Sequence, residues 1–262
     1  MSNAAPSNDT HTNATRTQDR RPGRSLPPVS LIGAPTDIGA GDRGALMGPE
    51  ALRVAGLAEA LADRGVDVVD RGNLSGPRNP WTAPVEGYRH LEQVVAWNRL
   101  LMDAVAAELR AGRMPIVLGG DAPAITPTQI RQIGIRSVDQ GEKRLIQQHG
   151  LDVYDMRYID EVGMKRTMEE ALRGVDDNTH VHVSFDVDFL DPSIAPGVGT
   201  TVPGGPNYRE AQLVMEMIAD TGRMGSLDIV ELNPALDSRN ATALLAVDLV
   251  ESLFGKSTLM RD

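Results

Sequence analysis

Apolar and polar positions alternate along residues 180–192, where Val181, Val183, Phe185, Val187 and Phe189 interleave with His182, Ser184, Asp186 and Asp188. That is the period of a β-strand, and the run is taken as His180–Phe189. Further strand-like runs fall at Val29–Pro35, Val66–Arg71, Pro115–Gly120, Gln132–Ser137, Asp152–Ile159 and Ser226–Leu232. Between most of them the apolar spacing turns helical, over residues 49–63, 90–111, 164–173, 208–221 and 241–254. In the last, Leu244, Val247, Leu249, Val250 and Phe254 predict a core-facing stripe. Strands alternating with helices predict a three-layer α/β domain, a mostly parallel sheet flanked by helices. Ligands in such sheets gather at the carboxyl ends of the strands. No repeat occurs at solenoid periods.

The alternation puts Asp186 and Asp188 on one side of their strand, roughly 7 Å apart at ~3.3 Å per residue. Pro192 cannot donate to a ladder, so the strand ends just beyond them. Two carboxylates at a strand end suit a pair of hard divalent cations, held ~3.5–4 Å apart in such sites. A strand end that merely solvates two acids reads equally well from this pair alone. His180 and His182 share the parity of Asp186 but lie earlier on the strand, where hydrogen-bonded structural histidines are the expectation. His11 lies in the N-terminal stretch, His90 begins a helix, and His149 precedes Gly150 at a helix end, where a cation is favoured.

One connection breaks the alternation. Only residues 121–130, DAPAITPTQI, separate the strand ending at Gly120 from the one starting near Arg131. Parallel neighbours need a crossover of a dozen or more residues, and Pro123 and Pro127 disfavour a helix there. Either these strands are not joined as a βαβ unit, or a segment has been lost.

Composition narrows the function. A chain of 262 residues suits one sizeable domain, assigned to residues 28–262. Residues 1–27 are polar and rich in Asn, Thr, Arg and Pro, and read as a disordered tail made basic by Arg20, Arg21 and Arg24. Aromatics supply only 3% of residues, so the core must rest on aliphatic side chains and Met. A net charge of −10 argues against nucleic-acid or anionic-membrane partners, which need basic patches. No apolar run suits a secretory signal or a membrane span. The absence of cysteine excludes disulfides, thiolate metal sites and cysteine nucleophiles, and fits a cytoplasmic location.

Five stretches carry a family resemblance: LIGAPTDIGAGDRGALMGPEALR (31–53), PIVLGGD (115–121), IGIRSVDQGEKR (133–144), SFDVDFLDPSIAPGVGTTVPGG (184–205) and SLDIVELNPALD (226–237). In this order, over about residues 29–260, they resemble the arginase and agmatinase family of manganese-dependent ureohydrolases. GDRGALMGPEALR and IGIRSVDQGE are closer to its arginase branch. The resemblance implies hydrolysis of L-arginine to ornithine and urea, by a hydroxide bridging two Mn²⁺ ions. By matching positions it makes Asp186 and Asp188 metal ligands. Glu231 would hold the guanidinium, and Thr200 would line the pocket. Asp139 and Glu142 would meet the α-amino end of the substrate, although acids after a strand also serve as helix caps. It further implies a homo-oligomer, a trimer or hexamer.

The chain departs from that pattern after Asp121. The family's metal-binding histidine is replaced by Ala122, and neither the Asp-Ala-His-x-Asp motif nor the Ser-Gly-Asn-x-His-Gly loop occurs. The resemblance thus implies that several tens of residues are missing in frame, which would remove an interior strand and four of the family's six usual metal ligands. Three readings follow. One is an arginase whose catalytic competence is doubtful. Another is a non-catalytic relative or deletion product that binds metal weakly or assembles with intact subunits. The third is another metal-dependent amidinohydrolase or deacetylase-like enzyme, against which the arginase-type motifs argue.

Overall fold

The computed structural model describes residues 27–38, 43–83, 90–119 and 129–259. Residues 1–26, and with them nearly all of the expected tail, lie outside the described residues. So do Gly120, Asp121, Ala122 and most of the short connection. The strands are β1 (Val29–Gly33), β2 (Val68–Asn73), β3 (Met114–Leu118), β4 (Arg131–Ile135), β5 (Asp152–Asp155), β6 (Val181–Asp186) and β7 (Met224–Val230). The helices are α1 (Gly48–Val54), α2 (Leu57–Asp63), α3 (Leu91–Arg110), α4 (Gln140–His149), α5 (Met156–Val162), α6 (Met164–Ala171), α7 (Tyr208–Thr221) and α8 (Ala241–Leu253).

Every named strand pairs in parallel. β1 and β3 are buried along their whole length, as parallel strands covered on both faces must be. Val29, Leu31, Ile116, Leu118, Leu227 and Ile229 pack with Leu52, Leu57, Leu61, Met215, Val247 and Val250 into the main core. On the opposite face, Val117 packs with Trp97 and Leu101 of α3. The expected three-layer architecture is therefore present.

The sheet, however, comes in two pieces. Five strands run in the order β2-β1-β3-β7-β6, while β4 and β5 form a separate pair. Gln132 of β4 and Ser184 and Asp186 of β6 line one cavity, so these edges face each other across it without ladder bonds. Their carboxyl ends stay joined. Gly134 adopts φ 80°, and a Cβ there would fall 2.5 Å from the Phe189 ring, so only glycine allows this approach.

Some boundaries differ from the sequence pattern. The helix expected over 49–63 breaks into α1 and α2 at Gly56, which takes a left-handed φ of 84°. The strand expected over Asp152–Ile159 stops at Asp155, whose carboxylate caps α5 by accepting the Tyr158 N–H. Leu244 is exposed, whereas Val247, Leu249, Val250 and Phe254 of the same predicted stripe are buried.

One buried ion cluster anchors α3 to the sheet. The Glu108 carboxylate accepts from Ser30 Oγ at 2.6 Å and from Arg113 Nε at 2.5 Å, and pairs with Arg71 at 3.0 Å. Arg113 first, with Ser30 and Arg71, holds Glu108 down at about 2. Because the folded pKa lies below the unfolded one, its stabilisation is complete above the ordinary carboxylate range and is lost as pH falls toward 2. Glu108→Gln should therefore lower the melting temperature by several degrees at pH 7. The deficit should shrink steadily below pH 4.5 in thermal melts; a pH-independent deficit would contradict this.

Candidate functional site

The strand carrying Asp186 ends there, and Val187–Phe189 form a single 3-10 turn. The cause is local. The Asp186 carboxylate accepts the Asp188 N–H at 3.1 Å and turns the backbone before the pattern predicts. The two acids are therefore not successive same-face residues of one extended strand, which corrects the expectation from alternation. Both still line a cavity of about 770 Å³ at the carboxyl ends of β3, β6 and β7.

Thr200 and Glu231 line the same cavity. Glu231 follows β7 with φ 62°, a left-handed backbone that a glutamate adopts at a cost of about 1–3 kcal/mol. The loop that faces it is pinned on both sides. Gly197 N–H donates to Thr242 Oγ1 at 2.9 Å, and Asn233 N–H donates to the Gly197 carbonyl at 2.8 Å. Val198 bridges Leu232, and Gly199 lets the Glu231 carboxylate come within 3.3 Å of where a Cβ would sit. These contacts hold Thr200 and Glu231 in register.

Asp139 and Glu142 sit elsewhere. Asp139 accepts the N–H groups of Gly141 and Glu142, and the Glu142 carboxylate accepts the Asp139 N–H at 2.7 Å. That reciprocal pair is a capping box at the start of α4, and neither residue lines the cavity.

His180 and His182 are engaged below the carboxylates. Ser226 Oγ lies 3.0 Å from His180 Nε2 and 2.8 Å from His182 Nδ1, and His182 Nε2 lies 3.1 Å from Asp228. His90 precedes α3, and His149 is exposed at the end of α4.

Burial, followed by the charges of Asp188 and Glu231, holds the Asp186 carboxyl well above the usual carboxylate range. Burial also raises Asp188, against the opposing pull of Arg136. Among the described residues, no three His, Cys, Asp or Glu side chains stand together as a metal-holding group. A pair of hard divalent cations therefore does not fit the donors among the described residues, since near-octahedral coordination by oxygen and nitrogen would have to come mostly from water. Carboxyl groups gathered around one cavity, with Glu231 among them, instead suit an organic cation with several N–H donors.

Sequence reasoning missed Arg136. Its guanidinium donates to the carbonyls of Val202 at 2.8 Å, Phe189 at 3.2 Å, Asp188 at 2.7 Å and Leu190 at 3.3 Å. It thus clamps β4 to the turn that carries the carboxylates. An arginine directly after a strand was the only signal for it.

Comparison with known proteins adds independent findings. The Arginase family profile matches residues 27–124 and 122–255. The arginase of Agrobacterium fabrum is 35% identical over 315 positions, covering 95% of this chain and 96% of that one. The arginase of Bacillus subtilis is 36% identical over 293 positions, covering 88% and 99%. The solved arginase of Bacillus caldovelox superposes with a TM-score of 0.83 at 33% identity, over 89% of this chain and 100% of that one. The Bacillus subtilis alignment draws on 88% of 262 residues, about 231, so about 60 of its 293 positions have no residue here. The two profile matches meet at residues 122–124, the junction where the sequence pattern breaks.

Proposed function

The chain belongs to the arginase family, and from that premise we propose that it carries an L-arginine site whose hydrolytic metal centre is incomplete. The family fold and the arginase relatives support a ureohydrolase function. Within it, the substrate class is a guanidino amino acid. Glu231 pairs with the guanidinium through two charge-assisted hydrogen bonds, Thr200 lines the site, and Asp186 and Asp188 are what remains of the ligand set for Mn²⁺. Asp139 and Glu142 cap α4 outside the cavity lining, so this reading rests on the four cavity residues without them.

The observation that carries the proposal is the convergence of Asp186, Asp188, Thr200 and Glu231 on one cavity. When bound in a complete centre, the metal pair supplies a hydroxide nucleophile at neutral pH. The side chains here perform the other half of the task. They collect negative charge in a partly desolvated pocket and orient a planar cation.

Calorimetric titration of the folded protein with L-arginine should give weak, enthalpy-driven binding. Glu231→Gln should weaken it about tenfold, the loss of one charge-assisted contact. Binding unchanged in that variant, or none in folded protein, would refute the assignment.

A further inference from the structure

Asp186, Asp188, Thr200 and Glu231 provide for the guanidinium end of a ligand and leave its other end unassigned. The cavity continues past them to the loop that follows β1, where Asp37 lines it. Asp37 is 7% exposed, and among the described residues its carboxylate meets no hydrogen-bond donor and no cation. The other acids buried this deeply are served: Glu108 by Ser30, Arg113 and Arg71, and Asp228 by His182. Buried carboxylates are paired or hydrogen-bonded as a rule, so one left open toward a cavity points to a partner that arrives from outside.

The position of Asp37 is set by its loop rather than by bonds of its own carboxylate. Its carbonyl accepts the Asn79 side-chain amide at 2.7 Å, and Ile38 sinks into the apolar cluster of Trp97, Leu101 and Val117. The Trp97 indole is fixed in turn, its N–H donating to the Pro77 carbonyl at 2.9 Å. Ile38, Val94 and Trp97 also line the cavity, so an apolar wall that suits methylene groups stands beside Asp37. The sheet sets the spacing. Gly33 is level with Leu118, and Leu118 with Ile229, so the loops bearing Asp37 and Glu231 leave strands two steps apart. At about 4.8 Å per step, that is about 10 Å. The guanidinium carbon and α-nitrogen of an extended L-arginine lie roughly 7–8 Å apart, at about 3.8 Å per three bonds. Hydrogen bonds at the two ends close the difference.

We propose that Asp37 forms a second cation subsite in this cavity and takes the α-ammonium of a guanidino amino acid whose guanidinium lies at Glu231. The inference rests on the arginine-site reading and adds to it the residue that selects ligands by their far end. It sets that end on the β1 side of the cavity, away from the α4 cap formed by Asp139 and Glu142.

The test is calorimetric titration of the full chain with L-arginine and with 5-guanidinopentanoate, which is L-arginine without its α-ammonium. Wild type should prefer L-arginine by at least about tenfold, the worth of one charge-assisted hydrogen bond. Asp37→Asn should weaken L-arginine by that factor, leave 5-guanidinopentanoate no weaker, and so abolish the preference. Glu231→Gln should weaken both ligands alike, since both carry the guanidinium. Asp37→Asn should also melt no lower than wild type, because the carboxylate it removes has no partner among the described residues. Equal binding of the two ligands to wild type, with Glu231→Gln still weakening both, would overturn the proposal and leave the arginine site standing. A preference that survives Asp37→Asn would place the ammonium elsewhere, and a melting temperature lower by several degrees would make Asp37 a structural residue. Binding of neither ligand to folded wild type would end both readings.

Discussion

Urea release from L-arginine by the purified protein, after incubation with Mn²⁺, should fall at least roughly four orders of magnitude below that of a complete metal-dependent hydrolase. A competent metal would bring the pKa of its water down to about 7, so without one almost no hydroxide is on hand at neutral pH. Substrate orientation by Glu231 cannot replace that nucleophile. Asp186 and Asp188 reach the cavity, but among the described residues no three His, Cys, Asp or Glu side chains form a group that could hold a metal ion. Of the five histidines in the chain, His180 and His182 are tied to Ser226 and Asp228. Any residual turnover should be equally low in Asp186→Ala. Robust urea release that disappears in Asp186→Ala would mean that other side chains rebuild the centre, and the proposed loss of hydrolysis would be wrong.

The layered fold was legible because it rests on period. Val29–Gly33 and Met114–Leu118 are buried, mostly apolar runs, and α7 and α8 repeat their buried positions at helical spacing. The irregular connection was legible too, since ten residues carrying two prolines cannot make a normal crossover between parallel neighbours; that β4 and β5 form a separate pair was not. What stayed hidden depends on bonds that a pattern does not encode. The turn at Asp188 follows from one carboxylate capturing an N–H two residues on. α4 has few apolar positions, so its clearest mark is the Asp139–Glu142 capping box. Asp139 and Glu142 therefore carried two meanings at once. The Arg136 clamp was least accessible, because its partners lie 52–66 residues away and are all backbone carbonyls. No residue type announces a carbonyl.

Arg136→Met should detach the small sheet from the large one. The guanidinium serves four carbonyls in the segment 188–202 and is half-buried. Methionine keeps the packing of the stem and removes every donor, leaving those carbonyls to find water or remain unsatisfied. Hydrogen bonds from a charged donor contribute about 1.5–3 kcal/mol each, and four sharing one group are not additive. A loss of about 3–4 kcal/mol in the docking of β4 and β5 is therefore expected. No ladder bonds join β4 to β6, so little else in the sheet resists the separation. The signature is regional. Amide exchange should accelerate steeply across Arg131–Ile135 and Asp152–Asp155 and remain slow in β1 and β3, which lie inside the buried core. Arg136→Lys should recover only part of the protection, since one ammonium cannot span four carbonyls as a planar guanidinium does. Uniform loosening of both sheets would show instead that Arg136 supports the whole fold. Unchanged exchange in β4 and β5 would show that the Gly134–Phe189 contact alone holds the two pieces together.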